Sequence, residues 1–397
     1  MLRLFFLLFI SIIFTYQSYA EKFIDFGPSL KLSYKTGNID TNSYNGFASD
    51  ISLFDKFNND ELIGTAKTLK IESQKNKDGH VVVNLFSINE ILAFDDEFGF
   101  EISIDKISVT DFNSKILEDE FSQGASNYDI LKHKNFSFNI QGVNFKNNEF
   151  DLGIKKISFP KIKYSKLSTG EDFAQETSFE IEKVSFTASP GNIEMLPLNV
   201  VLASIGQKSL TVDLNTHSEV FDKALMLKVI SKLGLNIIGG AALNFEFDYS
   251  VPLDTFNYFS NNQTLIDELQ NQNFENLDNF NNEMLLELGK IQINEVKLQI
   301  EDLGVRKPLL IMYASNMGMS EEDVINISND LIQSVLSPFI PVNAEKFSKS
   351  ISKFIKQGGR LTFNINPQNP LPIISTMGLF VMPDLAIETL GISLEAN

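Results

Sequence analysis

Ile102-Ser103-Ile104-Asp105-Lys106-Ile107-Ser108-Val109 is the stretch on which the fold of this chain turns. Its apolar residues step by two, then three, then two. Side chains alternate between the faces of a strand, so the three-residue step would send the second apolar pair to the opposite face. One extra residue, taken up as a β-bulge, returns that pair to the first face and bends the strand. The pattern recurs as Phe138, Ile140, Val143, Phe145; as Leu152, Ile154, Ile157, Phe159; as Phe179, Ile181, Val184, Phe186; and as Ile291, Ile293, Val296, Leu298. Gln141-Gly142 also suits a two-residue hairpin turn. The other spacers, Asp105-Lys106, Lys155-Lys156, Glu182-Lys183 and Asn294-Glu295, lack the glycine that such turns prefer. The pattern predicts kinked strands in one long, strongly curved antiparallel sheet. An ordinary sandwich, whose alternating strands give such matches by chance, is the alternative.

Working outward, residues from about Ser29 to Ser250 alternate apolar and polar positions between turn-forming clusters such as Asn58-Asn59-Asp60 and Lys77-Asp78-Gly79. Gly234 and Gly239-Gly240 mark turns or bulges. Phe245, Phe247 and Tyr249 line one face of a strand that Pro252 ends. The Asn- and Gln-rich stretch Asn261–Asn282 reads as a polar helix or a linker. After a strand at Lys290–Ile300 the period changes from two to that of a helix. Pro308 suits a helix start and Gly318 its end. Ser320 with Asp323 forms a capping-box arrangement before Val324, Ile327, Leu331 and Val335, and Pro338 stops that run. Asn343 can cap a second amphipathic helix whose Phe347, Ile351, Phe354 and Ile355 share a face before Gly358-Gly359. A strand at Leu361–Ile365, a short Pro-rich connection and a last strand near Ile392 follow. The fold class expected is α+β: a large curved antiparallel β-sheet, or a sandwich, with two amphipathic helices in the C-terminal third. The domains expected are a β-rich 21–255 and an α+β 256–397, whose strands complete the same sheet or form their own.

Residues 1–20 read as a secretory signal peptide. Arg3 supplies the positive charge, Leu4–Phe14 an uncharged apolar run, and Ser18-Tyr19-Ala20 the small residues that signal peptidase recognises. Cleavage is expected after Ala20, with an uncleaved anchor as the alternative. The run is short of the ~20 residues that span a hydrocarbon core. With no cysteine in the chain, a disulfide framework, a thiolate metal site, a Cys nucleophile and a thiol-linked lipid anchor are all excluded. An exported eukaryotic chain of this size would usually carry disulfides, so the periplasm of a bacterial envelope is the expected location. The net charge of -18 becomes one unit more negative once Arg3 is removed. Such acidity repels nucleic-acid backbones, and no nucleic-acid partner is expected.

No reaction centre emerges. His80, His133 and His217 are far apart and fit no metal-ligand spacing, so each reads as a surface or strand-edge residue. No Gly-rich phosphate loop follows a strand and no Gly-x-Ser-x-Gly elbow occurs, so no cofactor and no catalytic residue is assigned. Asp95-Asp96-Glu97 and Glu118-Asp119-Glu120 lack calcium-loop spacing and read as solvated turns. Lys346, Lys349, Lys353, Lys356 and Arg360 form a basic run in an acidic chain, a candidate contact for anionic lipid headgroups or a solvated helix face.

Residues 290–397 resemble a family of uncharacterised exported alphaproteobacterial proteins. The resemblance rests on Leu298-Gln299-Ile300-Glu301-Asp302-Leu303-Gly304, Ala314 to Met319, Leu361-Thr362-Phe363 and the closing Leu390 to Asn397. It implies no particular activity. The curved-sheet reading also resembles, in architecture, the AsmA- and TamB-type envelope proteins, whose half-pipes have an apolar lining that shelters lipid chains. This chain is shorter and has no second candidate anchor. The function expected is non-catalytic binding of phospholipid or another envelope component, with peripheral membrane contact. A structural or interaction module without a lipid ligand, and an envelope hydrolase, are the alternatives.

Overall fold

The computed structural model describes residues 23–26, 30–40, 45–55, 60–75, 81–95, 99–113, 136–147, 149–160, 162–168, 170, 172–188, 195–223, 225–261, 282–379 and 382–397. Residues 1–20, where a signal peptide is expected, His80, His133, the acidic runs 96–97 and 118–120 and almost all of the 261–282 stretch lie outside them. Of the described residues 57% are strand and 27% helix, which makes the chain α+β with antiparallel sheet dominant, as expected. Two compact units form: residues 1–164 with 177–193, and residues 165–176 with 194–397.

In the first unit β1 (Phe23–Phe26), β2 (Leu30–Asp40), β3 (Asn45–Asp55), β4 (Glu61–Lys75), β5 (Val81–Asp95), β6 (Phe100–Asn113), β7 (Ser137–Lys146) and β8 (Phe150–Phe159) form an antiparallel meander. The short β9 (Lys163–Lys166) and then β10 (Asp172–Ala188) follow, and the part of β10 from Thr177 onward pairs with β8. The 2-3-2 spacing is palindromic. Antiparallel neighbours therefore place apolar on apolar at all four positions. Ile104 faces Val143, Val143 faces Ile154 and Ile154 faces Val184; on the other side of the step, Ile107 faces Ile140, which faces Ile157, which faces Ile181. The same spacing extends through β2 to β5 with smaller residues: Leu32, Tyr34, Gly37, Ile39; Gly46, Ala48, Ile51, Leu53; Gly64, Ala66, Leu69, Ile71; and Phe86, Ile88, Ile91, Ala93.

The three-residue step is not met by a bulge in one strand. Every strand carries the extra residue at the same height, and the register is unchanged on either side. Asp105 and Gly142, for example, drop out between the pairs Ile104–Val143 and Lys106–Gln141. The omitted positions, Lys35, Asp50, Lys67, Glu90, Asp105, Gly142, Lys155 and Lys183, line up as a crease across the sheet. Every second strand meets the crease in left-handed backbone: Asp50 (φ 55°), Glu90 (φ 50°), Gly142 (φ 64°) and Lys183 (φ 51°). The crease keeps one face apolar over its whole length, and the residues of that face form one buried cluster from Leu32 to Phe145, together with Phe136. No described helix belongs to this unit. Ordinary bulges occur elsewhere, between Leu53 and Phe54 and between Glu72 and Ser73.

The second unit has its own antiparallel order, β11 (Leu210–Lys223), β12 (Met226–Ile237), β13 (Ala241–Pro252), β14 (Gln292–Asp302), β15 (Arg360–Ile365) and β17 (Ile392–Ala396), with β16 (Leu371–Pro372) pairing the start of β14. Phe245, Phe247 and Tyr249 share a face as expected, with ring centroids 6.4 and 4.7 Å apart along the strand. Here the fifth copy of the spacing does form a one-sided bulge. Asp248 pairs Glu295 and Tyr249 pairs Ile293, so Asn294 is extra, and its Nδ2 donates to Asp248 Oδ1 (2.7 Å) and Ser250 Oγ (2.9 Å).

Eight helices belong to the described residues of this unit: α1 (Leu196–Ser204), α2 (Leu253–Asn261), α3 (Asn282–Lys290), α4 (Arg306–Met317), α5 (Glu321–Leu336), α6 (Ala344–Gln357), α7 (Ile373–Leu379) and α8 (Pro383–Thr389). α5 and α6 are the expected amphipathic pair. The Ser320–Asp323 capping box is present, and Gly318 ends α4 in left-handed backbone (φ 64°). Asn343 departs from its expected role. Its side chain makes no cap bond and instead donates to Asp384 Oδ1 at 3.1 Å, tying α6 to α8. The Pro-rich connection is not simply irregular, since it contains β16, α7 and α8. Residues 255 and 256, where the sequence suggested a division, are consecutive residues of α2. Phe347 of α6, Ile387 of α8 and Leu394 of β17 pack together with Leu361 and Phe363, so the helices cover the β15–β17 end of the sheet.

Candidate functional site

The periodicity of α5 reads as a helix with a core-facing stripe. The structure divides that stripe. Val324 is buried against Leu310 and Ala314 of α4, and Leu336 joins the Phe347 cluster. Ile327, Leu331 and Val335, however, are 50, 61 and 56% exposed. At about 100° per residue these three follow one another along one side of α5, and Phe339 and Val342 continue the exposed apolar surface beyond its C-terminus. On α4, Leu309, Tyr313 and Met317 fall four residues apart on one face and are also exposed. Scattered exposed apolar side chains are ordinary in folded proteins, but contiguous ones mark binding surfaces.

Between these helices and the sheet lies a groove of about 460 Å³. Ala241 and Ile300 contribute from the sheet, Leu309, Leu310 and Tyr313 from α4, Val324 from α5, and Phe354 and Ile355 from α6. Its volume falls in the range of small-ligand pockets, roughly 300 to 1,000 Å³. Glu301, Asp302, Arg306 and Ser328 interrupt the apolar lining. Arg306 Nε, itself buried, faces Asp302 Oδ2 at 3.4 Å, and Nη1 donates to the carbonyl of Ile355 at 2.7 Å. Asp302 Oδ1 accepts from the backbone N–H groups of Gly304 (3.1 Å) and Arg306 (3.0 Å), which fixes the start of α4. A Cβ at Gly358 (φ 73°) would come within 2.5 Å of Asp302 Oδ2, so glycine is needed where α6 turns back to the sheet.

The basic run is partly committed to holding the fold. Lys353 Nζ donates to the Ala396 carbonyl at 2.7 Å, Arg360 pairs with Glu301 at 3.1 Å across β14–β15, and Lys349 pairs with Glu345. Lys346 and Lys356 are exposed, and among the described residues neither is seen in an ion pair. The four lysines share one side of α6, opposite Phe347 and Ile351.

His217 sits in β11, and its Nε2 lies 3.3 Å from Glu219 Oε1. Glu176, from the part of β10 that belongs to this unit, completes a trio whose ligand atoms all lie within 4.8 Å of one another. In sequence the three histidines stand far apart. Glu176 is 41 residues from His217, and only the strand arrangement brings them together.

Among the described residues, no helix is long and apolar enough to cross a membrane. No curated protein matches the chain. A family model described as "Uncharacterized protein" matches residues 235–397, a description that names no catalytic activity. The match runs from the end of β12 through β17, so it is the part of the chain holding the groove and the α4–α5 surface that is similar to this family.

Proposed function

We propose that this is an exported, non-catalytic protein of the periplasm that binds the acyl chains of phospholipid through its second unit. The observation carrying this reading is the exposed apolar surface of α4 and α5 beside a mostly apolar groove. Water contact with an acyl chain of about fifteen methylenes costs roughly 12 kcal/mol, at about 0.8 kcal/mol each. A groove with an apolar rim removes part of that cost. Lys346 and Lys356 add positive charge on α6 for an anionic leaflet. The apolar face of the first unit is already buried as one cluster, so the lipid is assigned to the second unit.

The test is flotation with vesicles of phosphatidylglycerol and phosphatidylethanolamine. Wild-type protein should float with them, and an Ile327→Asp/Leu331→Asp variant should stay at the bottom with an unchanged circular dichroism spectrum. Equal flotation of both would overturn the reading. The same exposed surface favours a second reading, an envelope interaction module that meets a protein partner. Stable capture of one envelope protein with no lipid in either species would favour it.

A further inference from the structure

We infer that one acyl chain of a glycerolipid lies along β13 on the apolar face of the second unit's sheet, with its ester carbonyl at the hydroxyls of Ser218, Ser231 and Tyr249. This placement rests on the lipid reading above and adds the strand and the polar group that the ligand meets. Residues directly opposite across neighbouring strands share a face. Phe245 stands between Leu233 and Leu298, and Phe247 between Ser231 and Val296. Leu243, two residues before Phe245, stands opposite Ile300, which also lines the groove. Among the described residues, helices cover the two ends of this face. Leu253 and Phe256 of α2 pack with Leu227 and Val220 at one end, and Phe347 of α6 and Ile387 of α8 with Leu361 and Phe363 at the other. The rows between are half-buried, whereas the apolar face of the first unit is buried as one cluster.

Charge and hydrogen-bonding capacity select the ligand. From the row of Leu214, Leu235, Leu243 and Ile300 to that of Val220, Val229, Tyr249 and Ile293, no side chain on this face is charged. Asp222 and Asp302 stand just outside those rows. A fatty-acid carboxylate would meet no cation here, and burying an unpaired charge is costly. Ser218 Oγ lies 3.2 Å from Ser231 Oγ, and Ser231 is hydrogen-bonded to the Tyr249 hydroxyl. Burial pushes that phenol above its ordinary range, so it keeps its proton. Three hydroxyls joined by two bonds have one O–H left to donate, and an ester carbonyl accepts it without bringing a charge. The length agrees as well. From Leu243 to Tyr249 the strand rises about 20 Å at ~3.4 Å per residue. One acyl chain spans half of a hydrocarbon core ~30 Å thick. A chain whose ester meets Tyr249 therefore reaches Ile300 and the groove.

The test is photolabelling of the wild-type full chain with two phosphatidylglycerols, one carrying a diazirine beside the ester and the other at the chain end, followed by peptide mapping. The first should label peptides holding Ser231 or Tyr249, and the second peptides holding Ile300 or Phe354. Labelling confined to α5 would overturn this placement and leave the lipid reading standing; no labelling anywhere would overturn both. A second measurement reads the ester itself, by displacement of a bound fluorescent acyl probe. Monopalmitoylglycerol should displace the probe at lower concentration than ionised palmitate. Ser231→Ala/Tyr249→Phe should weaken monopalmitoylglycerol about fivefold, the ordinary worth of one net hydrogen bond, and leave palmitate unchanged. Equal displacement by the two compounds, or a double variant that binds both as the wild type does, would overturn the role of the hydroxyls.

Discussion

Gly142 stands opposite Asp105 at the crease of the first sheet, and a Cβ placed on it would lie 1.9 Å from the Asp105 carboxylate. Its φ of 64° is left-handed as well. Gly142→Ala should therefore destabilise the protein by more than about 1–2 kcal/mol, the ordinary cost of left-handed backbone for an L-residue, because the clash with Asp105 adds to it. Adding Asp105→Ala should recover the steric part of the loss but not the backbone part. Denaturant midpoints for the two single variants and the double variant separate the contributions. A Gly142→Ala protein as stable as wild type would mean that the crease is not held in the form described.

The sheet was legible because the decisive signal is local and palindromic. A 2-3-2 run reads the same in both chain directions, so antiparallel copies find each other in register without any long-range information. The copies on β2 to β4 are harder to read because Gly37, Gly46, Ala48, Gly64 and Ala66 occupy their apolar positions. These are small residues where backbones come close: a Cβ on Gly46 would lie 2.1 Å from the Asn38 carbonyl. The α5 helix was also legible, but not its surroundings. Periodicity reports an apolar stripe and does not say whether core, lipid or a partner covers it. α8 was missed because Pro383, which in sequence reads as a break, stands at a helix's first turn, where proline is well tolerated. The Glu176–His217 proximity is a cross-strand relation that no spacing encodes.

A second prediction concerns the contact between α2 and α3. Thr255 is fully buried and its hydroxyl donates to Glu287 Oε2 at 2.7 Å, while Lys290 Nζ lies 2.6 Å from Glu287 Oε1. Hydrogen bonds from Lys290 first, then Thr255, hold the Glu287 carboxyl below its usual range. A carboxyl lowered on folding adds stability that is complete above its unfolded value, near pH 4.5, and is lost as pH falls through the folded value. Thr255→Val should cost about 1.5–3 kcal/mol at neutral pH, the range for a hydrogen bond to a charged group. It should also reduce the loss of stability as pH falls below about 4.5. Melting curves of both proteins across that interval check the sign.

A third prediction separates surface from core on two helices. Ile327→Asp and Leu331→Asp alter exposed positions and should each change unfolding free energy by no more than about 0.5 kcal/mol. Phe347→Ala on α6 opens a cavity in the Phe347–Ile387–Leu394 cluster and should cost about 3–5 kcal/mol. Urea denaturation of the three variants provides the comparison. Large losses for the aspartate variants would show that the α5 side chains are covered by the protein itself.

A fourth prediction concerns Arg306, which joins Asp302 at the start of α4 to the Ile355 carbonyl near the end of α6. Arg306→Met removes the guanidinium and leaves the Asp302 carboxylate without its partner in a poorly hydrated site. Breaking a buried pair from one side costs about 3–5 kcal/mol. Because the side chain is still about a fifth exposed, a loss near 2–3 kcal/mol is expected. The double variant Asp302→Asn/Arg306→Met should lose less than the sum of the single variants. Additive losses would show that the pair does not couple.

The central claim is that the second unit holds lipid, and native mass spectrometry tests it most directly. Protein purified from the cell envelope in mild detergent should carry one or more phospholipids, lost in the Ile327→Asp/Leu331→Asp variant, and the wild-type polypeptide mass should correspond to a chain beginning at Glu21. Wild-type protein free of phospholipid at every stoichiometry would contradict the account.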